Sequence, residues 1–248
     1  MAPRRKASVA VVGAGDFIGA AIARRFAAEG YRVFGGRREG AELAPLRSAI
    51  EAADGAFEGR SLDARDEAQI SAFMAEADAD QPLEVAIFNV GANVNFPILE
   101  TTERVFRKVW EMACEGGFLT GREAARRMVE RGAGSIFFTG ATASLRGGVG
   151  YAAFASAKAA LRAVAQAMAR ELGPRNIHVA HLVIDAGVDT AFVRERIVAA
   201  RGKEALADLA PDTLMNPTSI AEAYWLLHQQ TRDAWTFELD LRPFAERW

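Results

Sequence analysis

Cysteine is all but missing from this chain: Cys114 stands alone among 248 residues. A single thiol cannot close an internal disulfide, and no Cys/His cluster has the spacing of a metal site. An excess of charge of one sign is missing too. Thirty Lys and Arg against 32 Asp and Glu leave a net charge of −2, which provides no bulk attraction for nucleic acid or an anionic membrane surface. Long hydrophobic runs are absent. Met1–Lys6 is basic, but the apolar stretch after it, Val9–Val12, is soon interrupted by glycines and is too short for a signal sequence or a membrane span. There is no repeat, low-complexity linker or break in composition. These absences predict one domain over residues 1–248 in a cytoplasmic protein whose partner is a small molecule rather than nucleic acid or membrane. Half the residues are hydrophobic and a quarter charged, enough for a large core.

What is present is an alternation of short apolar runs with longer segments of helical period. Strands are predicted at Ser8–Val12, Arg32–Phe34, Phe57–Leu62, Glu84–Asn89, Ser135–Thr139 and Ile177–Ile184. Between them lie helical patterns: Ala20–Glu29 closed by Gly30, a stretch through Leu43, Leu46 and Ile50, and another through Ile70, Phe73 and Met74. Thr102–Glu130 and the alanine-rich Tyr151–Leu172 follow. Strand–helix alternation predicts a doubly wound, mostly parallel α/β sheet of Rossmann type with helices on both faces. In Trp235–Leu241 apolar and polar residues alternate strictly, the pattern of a strand with one wet face at a sheet edge.

The first strand runs into Gly13-Ala-Gly15-Asp-Phe-Ile18-Gly19. Gly13 suits a tight turn, Gly15 lets a backbone approach a phosphate, and Gly19 lets helix and strand pack closely. The N-terminus of the following helix supplies free N–H groups and a positive dipole for a pyrophosphate. The second strand ends in Arg37-Arg38, with Glu39 the first acid beyond. An acid at that place would hold an adenosine ribose, whereas guanidiniums suit a 2′-phosphate. This predicts NADP(H), with NAD(H) the lesser choice; the lesser alternative for one or both arginines is simply to solvate a loop.

With these landmarks in place the chain resembles the short-chain dehydrogenase/reductase family over nearly its whole length. The glycine turn matches the family's motif, with Val12 for the usual Thr and Phe17 for the middle Gly. The resemblance implies cofactor contacts from Gly13, Gly15, Ile18, Gly19, Arg37, Arg38, Asp63 and Asn89. It adds Gly91, the Lys158 side chain, and Val188 and Thr190 beside the nicotinamide. Phe88-Asn89-Val90-Gly91 keeps the second Asn and the Gly of the family's Asn-Asn-Ala-Gly. The Pro-Gly usually found before the Val188-Asp189-Thr190 segment is replaced within Ile184-Asp-Ala-Gly187. The resemblance also implies a homodimer or homotetramer, and the many alanines of Tyr151–Leu172 would permit close approach of a second copy.

The family's catalytic set is depleted. Where a Tyr-x-x-x-Lys pair is expected the chain reads Phe154-Ala-Ser-Ala-Lys158, Ala141 takes the Ser position and Ala113 the Asn position. Lys158 alone remains. Tyr151, seven residues before Lys158, would share its face if the helix already ran there, and it is the first candidate for a relocated proton donor. Thr142, Ser144, His181 and Asp185 are nearby alternatives, each with an ordinary structural explanation. Residues 190–215 would cover the site, with Phe192, Val193, Ile197, Val198, Leu206, Leu209 and Leu214 either lining an apolar cavity or packing in the core. Two functions fit: an oxidoreductase moving a hydride to or from a carbonyl or alcohol with a non-standard acid/base apparatus, or a dinucleotide-binding pseudoenzyme serving as sensor or scaffold.

Overall fold

The structure, a computed structural model, describes residues 3–246, so the expected unit over 1–248 extends at both ends beyond the described residues. Seven strands form one sheet: β1 (Ser8–Val12), β2 (Arg32–Arg37), β3 (Ala56–Ser61), β4 (Leu83–Phe88), β5 (Gly134–Thr139), β6 (Ile177–Ile184) and β7 (Glu238–Leu241). Their order is β3-β2-β1-β4-β5-β6-β7, and every pairing is parallel. The chain winds outward from β1 to one edge, returns, and winds outward from β4 to the other. A crevice therefore opens at the carboxyl ends of β1 and β4, where the order reverses.

Both faces of the sheet are covered. Val9 and Val11 of β1 pack under α1 (Ile18–Ala28), α2 (Ala44–Glu51) and, from the far end of the chain, α9 (Pro217–His228), through Ile22, Phe26, Ile50, Tyr224 and Leu227. Ala10 and Val12 face the other layer: α3 (Glu67–Ala79), α5 (Gly116–Arg131) and α6 (Ala152–Leu172), through Phe73, Met74, Leu119, Leu161 and Ala165. Fully burying each large apolar side chain contributes about 1.5–3 kcal/mol, and the even alternation of β1 between the layers holds the crevice on a rigid floor. The remaining helices are α4 (Glu103–Trp110), α7 (Ala191–Arg201) and α8 (Glu204–Ala207), of which α7 borders the crevice through Phe192 and Val193.

Several strand and helix ends, such as those of β3, β4, β5 and α6, shift by one residue from the pattern in the sequence, and four elements depart further. The first helix begins at Ile18 rather than Ala20, and β2 continues to Arg37 because Gly35, Gly36 and Arg37 stay in register with Gly59, Arg60 and Ser61. The stretch Thr102–Glu130 is not one regular helix: a π turn at Glu111–Glu115 separates α4 from α5. The last strand spans only Glu238–Leu241, the residues that pair with β6, and it is the sheet edge that the alternation predicted. Upstream of it Trp235 stacks on His178, with ring centroids 5.0 Å apart, so its indole serves packing rather than pairing. Among the described residues no helix is long and apolar enough to cross a membrane.

Candidate active site

Gly13 and Gly19 meet the tight-turn and close-packing demands that their spacing predicts. Gly13 has a φ of +93°, and a Cβ there would lie 2.7 Å from the Asn89 carbonyl oxygen. At Gly19 a Cβ would lie 2.2 Å from the Gly13 oxygen, so α1 can approach β1 only without a side chain. A Cβ at Gly15 would meet nothing within 4 Å, because that position faces the open crevice. Phe17 precedes α1 with no side-chain cap, which leaves N–H groups and the positive end of the helix for an anion. This is a cradle that fits a pyrophosphate.

Two cavities meet at this turn, both lined by Gly13, Gly15, Asn89, Val90 and Gly91. The smaller, about 270 Å³, runs along Arg37, Arg38, Leu62 and Asp63. Arg37 is already engaged there: it donates to Asp16 at 2.9 Å and pairs with Glu42. Asp63 is gripped by Arg65 through both oxygens, at 2.9 and 2.5 Å, and that guanidinium holds its carboxyl below the usual carboxylate range. The two groups expected to meet a ribose phosphate and an adenine thus hold protein partners as well.

Asn89 lines both cavities, yet its side chain is spent on the fold. Its amide donates to the Gly13 oxygen at 3.0 Å and accepts from Thr139, whose hydroxyl also meets that of the buried Tyr224 at 2.6 Å. The residue locks the glycine turn to the end of β5, and because its own N–H donates to the Val12 oxygen at 2.8 Å, its backbone carbonyl rather than its N–H is left for a ligand.

The larger cavity, about 680 Å³, holds most of the remaining expected residues: Ile18, Ala141, Tyr151, Phe154, Lys158, Val188 and Thr190. Lys158 is 3% exposed. It donates to the Thr139 oxygen at 2.8 Å and the Val90 oxygen at 3.2 Å, and lies 5.9 Å from the centre of the Phe154 ring. Burial lowers its pKa to about 8, since a low-dielectric site disfavours the ammonium. Phe154 presents only a ring edge or face where the family's Tyr would stand. Ala113 is fully buried in the π turn, and neither it nor Ala141 has a polar group.

Tyr151 does not sit within the helix with Lys158. It is the residue before α6, and its hydroxyl accepts from Arg196 of α7 at 3.0 Å. The other candidates are committed. Ser144 accepts from the Ala141 N–H at 3.1 Å, Thr142 bonds Asp185, and Asp185 is held by Arg146 and Arg242. His181 is fully buried on Glu238 and lowered by that burial to about 4. Its Nδ1 lies 3.2 Å from Glu238, whereas its Nε2 has no hydrogen-bond partner among the described residues, so the ordinary core role expected for it leaves one ring nitrogen unsatisfied.

Residues 190–215 leave the sheet and return to it: Met215 donates to the Gly187 oxygen and Asp189 to that of Met215, both at 2.9 Å. Of the apolar residues for which lining and core packing were both open, Phe192 and Val193 line the cavity, Ile197, Val198, Leu206, Leu209 and Leu214 do not, and none of the seven is buried in the core. The cavity also holds Asn93 and Arg146, which the sequence did not single out. Both lie in loops after strands, where no periodicity marks a polar residue as functional.

A family model for short chain dehydrogenase matches residues 7–199. A 3-oxoacyl-[acyl-carrier-protein] reductase, MabA, of Mycobacterium avium is 32% identical over 196 residues, 77% of this chain and 72% of that protein. The crystal structure of a short-chain dehydrogenase from Rhodopseudomonas palustris has a TM-score of 0.83 and 60% identity, covering 97% of this chain and 100% of that one. An alcohol dehydrogenase from Thermococcus sibiricus complexed with 5-hydroxy-NADP has a TM-score of 0.82 at 25% identity, covering 97% and 98%. The chain belongs to the short-chain dehydrogenase/reductase family.

Proposed function

We propose that this protein is an NADP(H)-dependent oxidoreductase that transfers a hydride to or from a carbonyl or alcohol, with its proton donor moved away from position 154. The observation that carries this reading is the pair of cavities joined at the glycine turn. One is lined by Arg37 and Arg38 for a phosphorylated adenosine, and the other is large, apolar and floored by Lys158. When bound, NADPH supplies the hydride. Gly13, Gly15, Ile18 and Gly19 would hold its phosphates, Arg37 and Arg38 its 2′-phosphate, and Asp63 its adenine. Asn89 and Gly91 would offer backbone to the sugars. Lys158 would present its remaining N–H to the ribose, and Val188 and Thr190 would border the nicotinamide. Residues 190–215 would shield the reacting atoms from water, and the protein would work as a homodimer or homotetramer.

A second reading, a dinucleotide-binding protein without turnover, is favoured by Phe154, Ala141 and Ala113 in place of hydroxyl and amide groups. NADPH oxidation against ketones, aldehydes, quinones and 3-oxoacyl thioesters separates the two. Turnover on any of them supports the oxidoreductase. Intact NADPH binding with no turnover, together with activity gained in Phe154→Tyr/Ala141→Ser, supports the binding protein.

A further inference from the structure

We infer that Arg196 is a positioning residue for the proton donor, and that Tyr151 and Arg196 together replace the work that Phe154 cannot do. This rests on the oxidoreductase reading above. Tyr151 lines the large cavity that also contains Lys158 and Phe154. The hydrogen bond from Arg196 Nη2 to its hydroxyl, 3.0 Å long, has a definite polarity. A guanidinium only donates, so the phenol oxygen accepts and its own proton remains free for another acceptor.

The charge around Arg196 is arranged for this role. Arg194, two residues earlier on the same helix, is neutralised by Asp189 at 2.5 Å. Arg146, which lines the cavity, is paired with Asp185 at 2.9 Å. Arg196 makes no ion pair with a carboxylate among the described residues; its contacts there are the Tyr151 hydroxyl and the Phe192 ring, 5.6 Å from centroid to guanidinium. Phe192 itself lines the cavity. An unneutralised guanidinium on a phenol oxygen is the partner that oxygen needs once its proton has gone, because the phenolate then accepts a charge-assisted hydrogen bond.

The helix carrying Arg196 has another feature in keeping with this. None of the residues of α7 is buried, so the helix is not packed into the core and can be held over the crevice by a few specific contacts. The Arg196–Tyr151 bond joins the middle of this cover to the start of α6, so seating the cover and orienting the phenol become one event.

The step balances with NADPH as reductant. Its hydride forms the new C–H bond at the carbonyl carbon, the C=O π pair moves onto oxygen, and that oxygen takes the Tyr151 proton. The products are the alcohol, NADP⁺ and a phenolate facing Arg196, which solvent water reprotonates. Positioned acid catalysis typically contributes about 10²–10⁴-fold. A charged hydrogen bond that strengthens in the transition state contributes roughly ten- to a hundredfold.

The test compares wild type, Tyr151→Phe, Arg196→Ala and Arg196→Lys, each checked for melting temperature and NADPH affinity, on the best carbonyl acceptor from the panel above. The inference expects kcat to fall about 10²–10⁴-fold in Tyr151→Phe and about ten- to a hundredfold in Arg196→Ala. NADPH affinity should hold, with partial recovery in Arg196→Lys. A crystal structure with NADP⁺ and the product alcohol should place the Tyr151 hydroxyl on the alcohol oxygen with Arg196 behind it. An active wild type with unchanged kcat in either Tyr151→Phe or Arg196→Ala overturns the inference and leaves the oxidoreductase standing. So does an alcohol oxygen bound by another group with Tyr151 turned away. A wild type that binds NADPH but reduces nothing in the panel overturns both.

Discussion

Replacing Arg37 with Ala should abolish a preference for NADPH over NADH, and replacing Asp16 with Asn should strengthen it. Arg37 leaves β2 with its guanidinium between two carboxylates, Asp16 at 2.9 Å and Glu42. Their side chains are 68% and 56% exposed, and exposed pairs of this kind are worth about 0.2–1 kcal/mol each. A 2′-phosphate offers a hydrogen bond to a charged group worth roughly 1.5–3 kcal/mol, so it should displace one carboxylate with a net gain of about 1–2 kcal/mol. That is roughly a five- to thirtyfold lower Kd for NADPH than for NADH. Asp16 would stay beside the phosphate as a like charge, and removing it should widen the ratio by a further factor of about 1.5–5. Fluorescence titration of both cofactors against wild type, Arg37→Ala and Asp16→Asn gives the ratios directly. Raising the salt should narrow them, since the site is open to solvent. Equal Kd values in wild type, or a ratio untouched by Arg37→Ala, would show that the phosphate does not sit at the end of β2.

Three further outcomes are expected. Lys158 titrates near 8 in the folded protein and near 10.4 unfolded. Between these values the unfolded chain holds a proton that the folded one lacks, so wild-type stability should rise with pH by about 3 kcal/mol at most. Lys158→Met should lack that rise, and equal pH slopes in denaturant titrations would refute the assignment. Gly19→Ala should cost more than about 2 kcal/mol, because its Cβ would lie 2.2 Å from the Gly13 carbonyl oxygen; Gly15→Ala should leave the melting temperature alone and weaken NADPH binding. Phe106, Trp110 and Phe118 are each about two-fifths exposed, and if they are covered by a second copy, Trp110→Asp should halve the mass measured by light scattering or more. A monomeric wild type at micromolar concentration would refute the homo-oligomer.

Much of the fold was legible because its signals are local. Strand cores such as Val9–Val12 are continuous apolar runs, and helices such as α1 repeat Ile22 and Phe26 along one face. The π turn at Glu111–Glu115 was not legible, since inserting one residue per turn leaves composition and helical propensity unchanged. The alanines of α6 divide in a way only the packing reveals: Ala153, Ala157 and Ala165 are buried, whereas Ala159, Ala163 and Ala167 are exposed in a row. In the site, the glycine turn could be read from spacing alone. The Tyr151–Arg196 bond could not, because its partners are 45 positions apart and only the excursion of α7 over the crevice brings them together. Asn89 shows the opposite case: a motif residue was recognised, but the motif did not say that its amide would be consumed by Gly13 and Thr139.

Lys158 has a structural task beside the crevice that does not depend on which side chain stands at position 154. A buried ammonium needs acceptors for its donors, and two of them are backbone oxygens: Val90 just past β4 and Thr139 at the end of β5. The lysine therefore ties the end of β4, at the crevice, to the end of its neighbour β5, whether or not a hydroxyl stands at position 154. On the proposed reading its remaining donor would meet the ribose. Phe154, 7% exposed with its ring 5.9 Å from the ammonium, covers the lysine with a face that attracts cations without offering or removing a proton. On the proposed reading, cofactor retention and proton donation, which one Tyr and Lys pair ordinarily couples, would be separable in this chain. Lys158→Ala should accordingly weaken NADPH binding and loosen the Val90 and Thr139 loops together, whereas Phe154→Leu should leave NADPH affinity within about threefold, a difference of about 0.7 kcal/mol or less. A Phe154→Leu variant that loses the cofactor as completely as Lys158→Ala would mean that the ring, and not the ammonium, shapes the nicotinamide side of the site.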